Sequence, residues 1–287
     1  NNTDQIEKLT ISAVEEASTS NEDPDLIAKV VAVASDELVN KVVEEVSKNS
    51  IDENQTLSAQ VLKAIVDSDS GKIDIINDDI KDTMIKQTIE SAQNQQEGTG
   101  VQQDQDMTSI VSDIIVNTDT DTGSKIIEEL NNSASDNDLS LQVISGISEK
   151  DTTKLNILSE NNKEQMDTLT ESAIKNADAS EENAELIAQV VANVSEELAN
   201  KVVEEVTKNS TDDNQALSAK VMRSIVKNNP DKVESLSNEN KQNLINQTIE
   251  AAKNQAEGTS NENLDLSDTI AEIVVNSDDE TSAKVLE

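Results

Sequence analysis

Apolar residues recur along this chain at helical spacing. Met166, Leu169, Ala173 and Ile174 fall at i, i+3, i+7 and i+8. Leu186, Ile187, Val190, Val191 and Val194 mark one face of the next segment, and Leu198, Val202, Val203 and Val206 one face of the segment after it. Leu217, Val221, Met222, Ile225 and Val226 repeat the pattern. Such spacing predicts amphipathic helices, and the period-two alternation of a half-buried strand is absent from these segments. Many of the apolar positions are β-branched, which lowers local helix propensity. Packing between neighbouring helices must then supply the stability.

Start and stop signals agree with this reading. Ser35 and Ser195 precede Glu-Leu segments and suit N-caps, and Asp213-Asn214 precedes the Leu217 helix. Pro24 and Pro230-Asp231 mark places where a helix begins rather than continues. Lys48-Asn49 and Lys208-Asn209 put basic charge where helix C-terminal carbonyls are expected. Gly98 and Gly258, each followed by polar residues, mark the longest linkers.

The segments are copies of one another. Lys41-Val42-Val43-Glu44-Glu45-Val46 returns as Lys201-Val202-Val203-Glu204-Glu205-Val206, and Leu26-Ile27-Ala28 returns as Leu186-Ile187-Ala188. Gln87-Thr88-Ile89-Glu90 returns as Gln247-Thr248-Ile249-Glu250, so all three pairs share an offset of 160. Roughly two-thirds of positions are identical between 26–66 and 186–226. A weaker copy lies halfway. Lys125-Ile126-Ile127-Glu128-Glu129 matches both Lys-Val-Val-Glu-Glu segments, and Leu139-Ser140-Leu141-Gln142-Val143 matches Leu57-Ser58-Ala59-Gln60-Val61 and Leu217-Ser218-Ala219-Lys220-Val221. Ile6, Met84, Met166 and Leu244 open equivalent helices. The expected organisation is an all-α, elongated α-solenoid of short stacked helices, four or five to a unit of about 80 residues, within a 160-residue higher-order repeat. Unit 1 spans 1–83, unit 2 spans 84–165, unit 3 spans 166–243, and a partial unit 4 spans 244–287.

In their short helix pairs with aliphatic faces, these segments resemble HEAT and armadillo arrays by type, although the unit is about twice as long. The resemblance implies stacked helices and an extended surface. Acidic, aromatic-free repeats rich in Asn, Asp, Ser and Thr also resemble segments of very large, repetitive bacterial secreted or cell-surface proteins. That likeness implies an extracellular or surface location and a stalk-like or adhesin role.

Composition narrows the function classes. The chain has 287 residues and no Phe, Trp, Tyr, Cys or His. Aromatic side chains fill thick cores, so a thin aliphatic core is expected instead. The net charge is −37, from 22 basic and 59 acidic residues. Nucleic-acid phosphates would be repelled, and anionic membrane surfaces are disfavoured for the same reason. Self-repulsion opposes compact packing, so salt or divalent cations are expected to help the folded state. No apolar run approaches the roughly 18 residues of a membrane helix. A basic-apolar leader and an initiator Met are absent from the start, so the numbering is expected to begin inside a longer or processed chain.

Catalysis is not expected. General acid–base chemistry would fall to Asp, Glu or Lys, and none of the carboxylates stands in an apolar context; Glu44-Glu45 is expected on a solvated helix face. Gly98-Thr99-Gly100 lacks the Lys-Ser/Thr of a phosphate loop and reads as a turn. Asn-X-Ser/Thr triplets at Asn1, Asn54, Asn131, Asn193, Asn209 and Asn246 are frequent by chance in such a composition.

Calcium is the sharpest chemical alternative. Asn117, Asp119, Asp121 and Glu128 fall at positions 1, 3, 5 and 12 of an EF-hand-like spacing. Gly123 sits at position 7 of that spacing, and Thr122 stands where the turn wants Gly. Asn276, Asp278, Glu280 and Glu287 keep the oxygens without a Gly. The run from Asp67 to Asp74, through Asp69, Ser70 and Gly71, looks like a shortened calcium loop that Asn228-Asn229-Pro230-Asp231-Lys232 does not preserve. Diffuse screening of the acidic surface by calcium or other divalent cations is expected in preference to a dedicated cofactor. The expected function is a structural repeat segment, a spacer, stalk or filament-forming element, whose partners are further copies of the repeat, including in a homo-oligomer or filament. A protein- or peptide-binding solenoid is the alternative, as is a calcium-stabilised adhesin stalk.

Overall fold

The structure is a computed structural model that describes residues 2–17, 22–50, 56–98, 106–133, 139–208, 212–257, 266–277 and 279–286. All described secondary structure is helical. The chain forms two compact units, Asn1–Leu139 and Ser140–Glu287.

The first unit runs through α1 (Asn2–Glu15), α2 (Glu22–Val33), α3 (Asp36–Asn49), α4 (Leu57–Asp69), a 3-10 turn (Ser70–Lys72), α5 (Asp78–Gln96), α6 (Met107–Asn117) and α7 (Thr120–Asn132). Its helices alternate between two rows. α1, α3, α5 and α7 pack each on the next, and so do α2, α4 and α6, while from α2 to α7 chain neighbours pack across the rows. The second unit holds α8 (Leu139–Lys150), α9 (Thr152–Asn161), α10 (Lys163–Asn176), α11 (Glu181–Asn193), α12 (Glu196–Lys208), α13 (Asp212–Asn228), α14 (Pro230–Ser235), α15 (Asn238–Ala256), α16 (Leu266–Asn276) and α17 (Asp279–Leu286). There α10, α12, α15 and α17 make one row, and α11, α13 and α16 the other.

Five positions repeat in chain order, here lettered A to E. A is α1, α5, α10 and α15; B is α2, α6, α11 and α16; C is α3, α7, α12 and α17. D is α4, α8 and α13, and E is a short connector, namely the 3-10 turn, α9 or α14. Within each unit, lateral packing runs from A to C and from C to the next A, about 40 residues apart, which is half of the sequence unit and near the length of a two-helix repeat. The sequence period doubles because only every second helix pair is followed by a connector. The unit edges read from sequence at 83/84, 165/166 and 243/244 fall inside α5, α10 and α15. Met84, Met166 and Leu244 accordingly lie one or two turns inside their helices rather than opening them.

Each row is glued by aliphatic side chains. In α3, Val39, Val42, Val43 and Val46 are fully buried, and their spacing makes one stripe. Its copy α12 buries Leu198, Val202, Val203 and Val206. Burying a Val or Leu side chain contributes roughly 1.5–3 kcal/mol, enough to offset the modest propensity loss of branched residues.

Helix ends follow the sequence signals. Ser35 and Ser195 cap α3 and α12 by accepting the Leu38 and Leu198 amides at 3.5 and 3.4 Å. Pro230 occupies the first turn of α14, where its missing N–H costs nothing. Asp213 and Asn214 lie within the first turn of α13 instead of ahead of it. Gly98 follows α5 at φ +66, a left-handed conformation that favours glycine. Gly258 and Asn209 lie outside the described residues.

Candidate functional site

Only Thr118 and Asp119 separate α6 from α7, so helix occupies the EF-hand-like spacing from its fourth position onward. Asp119 is the N-cap of α7, and its carboxylate accepts the Thr122 amide at 2.6 Å. Asn117 turns its amide nitrogen back to donate to the Asp113 carbonyl at 2.9 Å. Asp121 lies exposed in the first turn of α7. Glu128, also exposed, comes seven residues later, about 10 Å along the helix axis. The arrangement gathers Asp119 and Asp121 at a helix N-terminus, where negative charge is favoured, and carries Glu128 away from them. Among the described residues no group of three or more Asp or Glu converges as an ion cage. The side chains of Asn276, Asp278, Glu280 and Glu287 lie outside the described residues.

The shortened loop is helical up to Lys72, with Asp67 and Asp69 ending α4, the 3-10 turn over Ser70–Lys72, and Lys63 donating to Asp67 at 2.6 Å; Ile73 and Asp74 form a turn. Its last residue, Asp74, hydrogen-bonds to Asp119, so one carboxyl from each candidate loop forms a pair. That hydrogen bond, then burial and the Asp119 charge, push the Asp74 carboxyl above its ordinary range, with Lys81 opposing. Burial works against the Asp119 carboxylate, but the hydrogen bonds from Asp74 and Thr122 outweigh it and hold Asp119 below its ordinary range. Asp74 is thus the member of the pair that keeps a proton longer. This perturbation was illegible in sequence, because the two residues are 45 positions apart.

The Lys-Val-Val-Glu-Glu segments contain a second departure from expectation. Glu44 and Glu204 are exposed as expected, but Glu205 is 5% exposed and its copy Glu45 is half-buried. Glu205 lies between Lys201 at 2.9 Å and Lys208 at 2.5 Å. Burial raises its pKa, and the hydrogen bonds and charges of Lys208 and Lys201 more than reverse that, leaving it below the usual carboxylate range.

The most repetitive polar feature is a set of side-chain staples joining laterally packed helices. Gln87 of α5 donates to the Ser47 carbonyl of α3 at 2.8 Å and accepts the Ser58 hydroxyl of α4 at 2.6 Å. Gln247 of α15 repeats both bonds on Thr207 at 2.8 Å and on Ser218. Lys72 donates to the Ala34 carbonyl at 3.2 Å, and Lys232 to the Val194 carbonyl at 2.9 Å. Asn40 accepts the Asn77 amide at 2.6 Å, and Asn200 accepts the Ser237 amide at 2.7 Å. All three pairs of staples recur at the 160-residue offset. Each one satisfies a backbone group at or near a helix end, where the helix leaves carbonyls and amides without internal partners.

Two grooves lie on the surface of the described residues. In the second unit, a groove of 510 Å³ is lined by polar and charged residues that include Ser159, Lys163, Glu197 and Lys201. Lys163 and Glu197 form an ion pair there. In the first unit, a groove of 360 Å³ between α1 and α2 is lined mainly by Leu9, Ala13, Val14, Leu26, Ile27 and Val30.

Comparison with known proteins adds little. No protein-family model matches the chain, and no curated protein does. Among solved structures, an engineered protein determined by the Northeast Structural Genomics Consortium is similar over 96% of this chain and 76% of its own, at 11% identity and a TM-score of 0.33. A likeness at that level carries no functional argument.

Proposed function

We propose that the chain is a structural repeat segment, a spacer, stalk or filament-forming element of a larger acidic protein at the cell surface or outside the cell, with no chemistry of its own. One observation carries this reading. The staples Asn40/Asn200, Lys72/Lys232 and Gln87/Gln247 keep their side chain and bond a backbone group at the equivalent position across 160 residues, although the partner residue changes from Asn77 to Ser237, Ala34 to Val194 and Ser47 to Thr207. Residues retained between copies therefore serve the seams between helices, as the nearest-neighbour cohesion of a repeat array requires.

One difference between the copies also falls at a seam. Lys63 becomes Arg223, and both remain tied to other helices: Lys63 to Asp113 at 3.6 Å, and Arg223 to Glu181 at 2.6 Å and Glu272 at 3.4 Å. The acidic surface limits unwanted association by like-charge repulsion, and divalent cations act on it by diffuse screening.

Small-angle scattering on one, two and three tandem copies of the 287-residue chain tests the proposal. A spacer lengthens with each copy, so the radius of gyration should rise nearly in proportion to copy number. Growth following the roughly 0.38 power of chain length, as in compact globular domains, would remove the spacer reading.

A further inference from the structure

The D helices share a Leu-Ser-x-x-Val pattern followed by Leu, Ile or Met, at Leu57–Leu62, Leu139–Ile144 and Leu217–Met222. Helices this similar invite pairing in the wrong order, and misassembly between copies is a characteristic failure of repeat chains. One position on each helix breaks the likeness. The seventh D residue, counted from the shared Leu, is Lys63 in α4, Ser145 in α8 and Arg223 in α13. On the B helices, the residue directly ahead of two branched residues is Lys29 in α2, Asp113 in α6, Gln189 in α11 and Glu272 in α16.

These two positions meet wherever a D helix lies against the B helix that follows it. α4 packs on α6 and α13 on α16. Lys63 lies 3.6 Å from Asp113, with side chains 31% and 24% exposed. Arg223 lies 3.4 Å from Glu272. Between them in the chain, the Ser145 hydroxyl of α8 donates to the Gln189 carbonyl oxygen of α11 at 3.2 Å. Both sides of the seam therefore change together. A cation meets a carboxylate, then a hydroxyl meets an amide, then a cation meets a carboxylate again. The alternation has the period of two sequence units, the same 160 residues over which the chain repeats most closely.

Resting on the spacer reading above, we propose that this D–B pair is a matching key by which each D helix selects the B helix that follows it, so that ionic and neutral units do not trade places. Specificity of this kind comes from what the wrong partner costs. Lys63 opposite Gln189 would lose its counter-charge. Ser145, which is 2% exposed, would face a half-buried carboxylate without a cation if Asp113 or Glu272 took the place of Gln189. Lys29, exposed on α2, would set like charges against Lys63 or Arg223. The key thus gives the doubled sequence period a physical role, since Lys63 and Arg223 select one class of B helix and Ser145 the other.

The test presents the residue of each wrong B helix to α4 without moving any helix. Asp113→Gln supplies the side chain of α11, and Asp113→Lys that of α2. Each is made alone and with Lys63→Ser in the full chain, and native-state hydrogen exchange is read at α4 and α6 amides. With Lys63 in place, Asp113→Gln should raise local opening about twofold and Asp113→Lys about fivefold, the range of measured couplings between partly exposed charges. In the Lys63→Ser background, Asp113→Gln should cost nothing and the excess for Asp113→Lys should fall below about twofold, which is the non-additivity that selection requires. The difference between the two backgrounds should shrink in 1 M salt, whose screening length is about 3 Å. All these sites are partly exposed, so the variants should fold, as circular dichroism checks. Equal costs whichever residue occupies position 63 overturn the key and leave the spacer reading, which rests on scattering, intact. Loss of α4 and α6 helicity in the Lys63→Ser, Asp113→Gln double variant also overturns it, because the Ser–Gln pair would then not suffice at an equivalent seam.

Discussion

Replacing Gln247 with Leu removes one staple while keeping the side-chain volume. Gln247 is 8% exposed and satisfies two groups, the Thr207 carbonyl and the Ser218 hydroxyl, themselves 8% and 0% exposed by residue. Leaving a buried polar group without its partner costs about 1–3 kcal/mol. The Thr207 carbonyl, in the last turn of α12, bears that cost in full. Ser218 keeps a long contact to the Val206 carbonyl at 3.5 Å, so its share lies at the low end. The expected total is about 2–4 kcal/mol. Because a repeat chain need not unfold in one step, native-state hydrogen exchange is the suitable assay, read at amides of α12, α13 and α15. Pairing Gln247→Leu with Ser218→Ala should recover about 1 kcal/mol, since one of the two stranded groups is then gone. Gln87→Leu should lower protection in α3, α4 and α5 and leave α12 and α15 unchanged. If Gln247→Leu changes protection around α12 and α15 by less than about 0.5 kcal/mol, or lowers it evenly over the whole chain, the staples do not hold the seams and the reasoning fails.

Three further outcomes are expected. Glu205→Ala should cost about 1–2 kcal/mol and Glu45→Ala less than about 0.5, measured by urea unfolding, because Glu205 is the more buried member of the pair; equal effects would contradict the structure. Asp74→Asn should raise the melting midpoint at neutral pH and lose that advantage in acid. A raised folded pKa means that the folded state binds the Asp74 proton more tightly, so the wild-type penalty is present above the folded pKa and vanishes as pH falls below the unfolded one. A midpoint difference independent of pH would refute this. Millimolar calcium and magnesium should raise the midpoint alike, and Asp119→Asn or Asp121→Asn should leave that gain nearly unchanged, as diffuse screening requires. A saturable calcium effect abolished by Asp121→Asn would establish a specific site instead.

Much of this fold is legible in sequence because its signals are local. The 3.6-residue spacing of Leu198, Val202, Val203 and Val206 places α12, and Ser35, Ser195 and Pro230 sit at helix starts. The 40-residue packing step is hidden. A connector follows only every second helix pair, so the chemistry repeats at twice the spatial period. The staples are hidden as well, since Gln87 and Gln247 look like any polar residue on an acidic helix until another helix end lies against them. Glu45 and Glu205 share one motif and differ in burial through their surroundings, which no local window contains. The spacing Asn117, Asp119, Asp121 and Glu128 has the oxygens of a calcium loop, but Asp119 is also a good N-cap and Lys125-Ile126-Ile127 carries a helical stripe. The cap and the stripe decide the local structure. Pairing of Asp74 with Asp119 depends on tertiary contact and has no sequence signal.

Zero-length carbodiimide cross-linking of the unmodified chain, followed by mass spectrometry, tests the two-row packing most directly. Lys125 lies 3.0 Å from Asp82 and 3.4 Å from Asp78, Lys63 lies 3.6 Å from Asp113, and Lys163 pairs with Glu197. Amide links between these partners, 34 to 50 residues apart in sequence, should dominate the long-range products. Long-range links scattered over the 59 acidic residues without preference, or links confined to neighbours within one helix, would contradict it.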